Sequence, residues 1–113
     1  MRSDIEQQRA AMRAELERLL SCDIVREVFL LPAMFGGTND PRNVIWLPPI
    51  CIQEKDQFDA QVREAVEQGE IVHYTATPSY DGPSMVPMQV TLSASGTKLA
   101  LHHVIEVAPH KTW

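Results

Sequence analysis

An α+β domain is the fold this sequence predicts, and three observations predict it. Apolar residues recur at helical spacing in two segments, one near the start of the chain and one in its middle. Short runs rich in branched and aromatic side chains lie between them. The C-terminal part then alternates apolar and polar residues at a period of two, in successive runs separated by turn residues, which is the pattern of an antiparallel meander.

Taken in order, Ser3 with Glu6 forms an S-x-x-E capping box in which each side chain reaches the other residue's backbone N–H. Ile5, Met12, Leu16, Leu19 and Leu20 follow at helical spacing, predicting a first helix over about residues 4–20 within an N-terminal segment 1–21. Its outer face carries Glu6, Arg9, Arg13, Glu17 and Arg18, a solvated pattern. Ile24 to Leu31 reads as a buried strand ending at Pro32. Val44, Ile45, Trp46 and Leu47 form a second short strand closed by Pro48 and Pro49, because proline cannot donate to a central ladder. The turn residues Gly36-Gly37-Thr38-Asn39-Asp40-Pro41 between them allow a hairpin.

From about Gln53 to Gln68, Phe58, Val62, Ala65 and Val66 share one face, and Gly69 sits where a left-handed helix stop belongs. That is a second amphipathic helix. Val72, Tyr74 and Ala76 then alternate with His73, Thr75 and Thr77, and Val86, Met88, Val90 and Leu92 with Pro87, Gln89 and Thr91. Tyr80-Asp81-Gly82-Pro83 joins these strands, and a third, Leu99 to Val107, follows the Ser95-Gly96-Thr97 turn. Residues 108–113 read as a flexible tail.

The 113 residues are 44% hydrophobic, enough for a single domain with one core over 1–113. Ten basic against fifteen acidic side chains give a net charge of -5, the wrong sign for a protein that tracks phosphates. No segment has the apolar run of a membrane helix or signal peptide, so the expected setting is cytoplasmic, with no membrane partner. Cys22 and Cys51 have no metal-binding or redox spacing and are expected to be buried free thiols. No metal or cofactor is expected from spacing alone. His102 and His103 are neighbours on a strand, so they point to opposite faces and cannot share an ion.

One block resembles a known family. The run Leu30-Leu31-Pro32, Gly36 to Asn43, Leu47-Pro48-Pro49, a helix ending in Gly69, and the block Val72 to Gly82 with Pro87 together look like DNA/RNA non-specific endonuclease domains. These are the ββα-metal nucleases found at the C-termini of bacterial polymorphic toxins, and the likeness covers about residues 26–95. The resemblance implies a hairpin and a helix holding one divalent metal such as Mg, a histidine at the end of the first strand that activates water, and an asparagine on the helix that binds the ion. This sequence departs from that pattern at both positions: the histidine falls on Phe29, and the asparagine falls near Ile52. Neither replacement accepts a proton or ligates a hard cation.

The residues left as candidates for binding are Asn39, Asp40, Arg42, Asn43 and Trp46. Asn43 at the hairpin mouth reads first as an amide that holds loop shape, Asp40 before Pro41 as turn chemistry, and Arg42 as solvated surface. Three functional readings follow. The first is a nuclease-like module without catalysis that binds a protein partner, as an immunity or accessory protein of a bacterial toxin or effector system. The alternative is a divergent metal-dependent endonuclease toxin in which His73, His102 or His103 supplies the base and Asn43 with a carboxylate holds the metal; only here would nucleic acid be a partner. The third is a structural subunit that forms homo-oligomers through an edge strand of the meander.

Overall fold

The computed structural model describes residues 2–111 and 113, with side chains from Asp4 onward, so the capping box expected at Ser3 lies outside the described side chains. The element order is α1 (Arg2–Ser21), β1 (Arg26–Phe29), β2 (Val44–Leu47), α2 (Pro49–Glu67), β3 (His73–Ser79), β4 (Gln89–Ser95) and β5 (Ala100–Glu106). β1 and β2 form an antiparallel hairpin in which Phe29 faces Val44 and Arg26 faces Leu47. β3, β4 and β5 form a separate antiparallel sheet in that order. The α+β layout expected from the sequence is the one observed.

Only the last turns of α1 reach the core, where Leu16 and Leu19 are buried; Ile5 and Leu20, expected on the packed face, are exposed. The helix stops at Asp23, which takes a left-handed φ of 57° and lets the Ile24 N–H return to the Leu19 carbonyl at 2.8 Å. That turn absorbs Ile24 and Val25, so β1 is shorter than the expected Ile24–Leu31 run. Its Arg26 and Glu27 are exposed, so it is no buried strand. β1 itself ends at Phe29, although the Leu30 N–H still bonds the Asn43 carbonyl at 2.8 Å, one step further in the same register.

α2 begins at Pro49, earlier than the expected Gln53. The first helical N–H groups have no partner within a helix, so a proline in the first turn loses nothing and its fixed φ favours entry. The buried stripe of α2 is Cys51, Lys55, Phe58, Asp59, Val62 and Ala65, whereas Val66, expected on that face, is 42% exposed. The stripe packs toward the inner face of the sheet, where Val90, Leu92, Ala94 and Ile105 are buried. Glu70, just past α2, accepts hydrogen bonds at Oε1 from the Lys98 and Leu99 N–H groups and so ties the β4–β5 turn to the helix end.

At the C-terminus the expected flexible tail is instead attached. Ala108–His110 make a 3-10 turn, Lys111 Nζ donates to the Val86 carbonyl at 2.7 Å, and Trp113 packs half-buried against the core. Cys22 is exposed, contrary to the expectation of two buried thiols, because it follows the solvent-facing end of α1.

The paired glycines of the hairpin connection have separate jobs. Gly36 takes φ 91° and caps the 3-10 turn Ala33–Phe35, with open space where a side chain would stand. Gly37 lies against the Leu31 carbonyl, where a Cβ would overlap backbone that cannot give way. Gly37→Ala is therefore expected to cost about 3 kcal/mol, the range of a severe steric substitution. Gly36→Ala is expected to cost about 1 kcal/mol for its left-handed φ alone. Urea unfolding of the two variants measures the difference.

Candidate functional site

The hairpin connection is rigid because Asn43 is used up in holding it. Its Oδ1 accepts from the Leu31 N–H at 2.8 Å, while Nδ2 donates to the carbonyls of Leu31 at 3.1 Å and Thr38 at 2.8 Å. Asp40 caps the next 3-10 turn by accepting from the Arg42 N–H at 2.9 Å and from the Arg42 guanidinium at 3.1 Å. The guanidinium holds the Asp40 carboxyl below its ordinary range, and the backbone bond adds to this. Asp40, Arg42 and Asn43 thus share one turn, Asn39 is exposed beside it, and Trp46 is half-buried on β2 opposite Glu27. The candidates drawn from the sequence are neighbours in the chain, bonded mainly to their own loop.

The chemistry-bearing cluster lies elsewhere. Lys55 and Asp59, one turn apart on the buried stripe of α2, form an ion pair with Nζ to Oδ2 at 2.7 Å and side chains only 2% and 7% exposed. The Tyr74 hydroxyl on β3 donates to Asp59 Oδ1 at 2.6 Å and accepts from Lys55 Nζ at 3.2 Å. The Tyr74 ring is held between Phe35 and Phe58, with centroids 5.9 and 6.1 Å away. Burial pushes the Tyr74 phenol far above its ordinary range, and the hydrogen bond to Asp59 and that carboxylate's charge push it further. A buried ammonium and carboxylate with these partners leave none of the three groups unsatisfied.

Lys55 and Asp59 of this network floor a shallow hollow of about 340 Å³ between β1 and α2, walled by Glu27, Val28, Phe29 and Pro32, with Asp56 on its rim. Phe29, on which the sequence resemblance would place a general base, lies in the hairpin–helix cleft, while Ile52 packs half-buried against the core. The donor set does not suit a divalent cation. Phe29 and Ile52 bring no lone pairs, and Asp59, the buried carboxylate of the cleft, is already neutralised by an ammonium that would repel a second cation. Among the described residues no cluster of three His, Cys, Asp or Glu side chains is placed to hold a metal ion.

The histidines are dispersed. His103 on β5 meets Glu54 of α2, Nε2 to Oε1 at 2.9 Å, in a groove of about 260 Å³ that also takes in Gln57, Phe58, Gln61, Leu101 and His102. His73 and His102 are exposed on the outer face of the sheet, and His102 and His103 do point to opposite faces. Buried Cys51 nearby has its thiol pushed up to about 11, by desolvation first and then by the Glu54 charge, which removes it as a nucleophile at neutral pH.

No protein-family model, curated protein or solved structure matches the chain.

Sequence reasoning passed over Lys55, Asp59 and Tyr74, and a signal for the first two was present. Cys51, Lys55, Phe58, Val62 and Ala65 repeat at four and three residues, so Lys55 stands on the apolar stripe itself, with Asp59 an i+4 partner. A lysine on a core stripe demands a buried anion. Tyr74 alternates inward on β3 and supplies the hydroxyl.

Removing one member of this pair strands the other. Lys55→Met is expected to lower unfolding free energy by about 3–5 kcal/mol, and the double change Lys55→Met with Asp59→Leu to cost less than the sum of the single changes. Denaturant titrations of a double-mutant cycle measure both. The second expectation concerns alkaline pH. The folded pKa of Tyr74 is raised, so between the unfolded value near ~10 and the folded one the unfolded state holds fewer protons. Stability is then unaffected by this group below about pH 10 and falls as pH rises beyond it. Burial also raises Tyr80, the other tyrosine. Tyrosinate absorbance of the folded protein at about pH 10.5 is expected to stay below that of the urea-unfolded chain.

Proposed function

We propose that this chain is a nuclease-like module without catalysis that acts by binding a protein, as an immunity or accessory component of a bacterial toxin or effector system. The observation that carries this reading is the closed Lys55–Asp59–Tyr74 network under Phe29. Phosphodiester cleavage needs a base free to take a proton from water and a cation free to meet phosphate. In the hairpin–helix cleft Lys55, Asp59 and Tyr74 answer only one another, Val28, Phe29 and Pro32 make the wall above them apolar, and the remaining carboxylates, Glu27 and Asp56, stand at its rim.

A cleft of that kind keeps a recognition surface while losing the chemistry. Glu27 and Asp56 on its rim and a net charge of -5 favour a basic partner surface, such as that of an enzyme built to hold nucleic acid. The divergent-endonuclease alternative draws on one observation, the half-exposed His103–Glu54 pair, in which a carboxylate orients an imidazole. That pair lies in a separate groove, away from the cleft that resembles the nuclease site.

Incubation of the purified chain with plasmid DNA and with RNA, in Mg²⁺, Mn²⁺ or Zn²⁺, is expected to give no cleavage above a protein-free blank. Cleavage that disappears in His103→Ala or His73→Ala would overturn the reading. For the binding half, a photo-crosslinker at position 29 in the native host is expected to yield one discrete protein adduct, lost in the charge-reversed pair Glu27→Lys with Asp56→Lys.

A further inference from the structure

The outer strands of the three-stranded sheet differ in what their free edges offer. The Gly96 N–H bonds to the Leu99 carbonyl at 2.8 Å and the Val107 N–H to the Met88 carbonyl at 2.9 Å, which sets the alternation of the β4–β5 ladder. The pairs Ala94–Leu101, Leu92–His103 and Val90–Ile105 then exchange hydrogen bonds, and Ala100, His102, Val104 and Glu106 turn their N–H and C=O groups away from β4. Among the described residues nothing bonds to those groups. On β3 the same alternation turns Tyr74, Ala76 and Pro78 outward, and Pro78 has no N–H to offer. One edge is interrupted by proline and the other is continuous.

We propose that the β5 edge pairs antiparallel with β5 of a second copy of this chain, about a two-fold axis at Val104. Only another extended backbone matches a row of alternating donors and acceptors at strand spacing, and the outward residues choose the register. Centred on Val104, the pairing sets Val104 against Val104 and, on each side, His102 against Glu106 of the second copy, directly opposite at about 5.5 Å between Cα atoms. An imidazole N–H donates to a carboxylate in either protonation state, so each His–Glu contact is favourable twice over by symmetry. Centring on His103 would instead oppose the two His103 side chains at closest approach and leave Glu106 facing Ala100. Centring on His102 would oppose the two His102 rings. Val104, on the open face of the sheet, is half-buried, whereas His102 and Glu106 are exposed and available to the second copy. On the inner side of the edge a groove lies between α2 and Leu101–His103, with His103 held back by Glu54.

The pairing is independent of any docking at the hairpin–helix cleft. Sedimentation equilibrium of the intact chain over a concentration series is expected to show the mass rising from one chain toward two. Val104→Pro removes an N–H that the β4 ladder does not use, so the fold is retained by circular dichroism while dimerisation weakens at least about tenfold. Glu106→Lys weakens it comparably, and adding His102→Glu restores it, because the opposed charges are exchanged rather than lost. If Val104→Pro disturbs the fold, the charge exchange alone decides. A chain that stays monomeric up to about 1 mM, or a dimer indifferent to both Val104→Pro and Glu106→Lys, overturns the proposal.

Discussion

A buried ammonium sets the position of α2. Lys55 lies on the stripe that the helix turns toward the core, and its charge is tolerable only where Asp59 and Tyr74 both meet it. Apolar contacts alone would let a helix of this kind rotate or slide by a fraction of a turn at modest cost. A displacement that separates Nζ from Asp59 or the Tyr74 hydroxyl leaves a charge in a dry interior, and that cost is far larger. The network thus acts on specificity more than on net stability, joining α2 to β3 in one register. Phe35 reaches the same tyrosine ring from the hairpin connection, so hairpin, helix and sheet converge on one side chain.

The segment most conspicuous in the sequence turns out to be scaffolding for that convergence. Gly37 lets the loop lie against the Leu31 carbonyl, and Asn43 stitches the loop's two sides together through Leu31 and Thr38. The result fixes where β1 ends and where Phe35 points. An amide with its donors and acceptor committed to backbone has little left for a ligand, and the Asp40–Arg42 pair is similarly turned inward on its own loop.

Periodicity made most of the fold legible. The three strands of the meander, the hairpin and both helices follow from alternation, helical spacing and turn residues, because each element buries one face. What escaped were choices made by tertiary context. Pro48-Pro49 marks the end of a strand and equally the start of a helix, and only the packing of Cys51 and Lys55 decides for the helix. Ile24 and Val25 have strand propensity, yet the left-handed turn at Asp23 claims them. The site was less legible than the fold. Lys55 and Asp59 pass for solvated helix surface when charge is assumed to face water, and Tyr74, in a distant segment, gives no local sign that it closes their network.

The acidity of the chain gains meaning from its placement. Asp59, an acid of the hairpin–helix cleft, is cancelled within the core, so the field at the cleft mouth comes from Glu27 and Asp56 around an apolar wall. A foreign cation has no vacant inner carboxylate to bind, while a protein surface with basic side chains about an apolar patch matches both parts of the rim. The internal ion pair that fixes α2 thus also leaves the cleft with a positive charge already balanced by Asp59, where hydrolysis of a phosphodiester would need one free to act on phosphate.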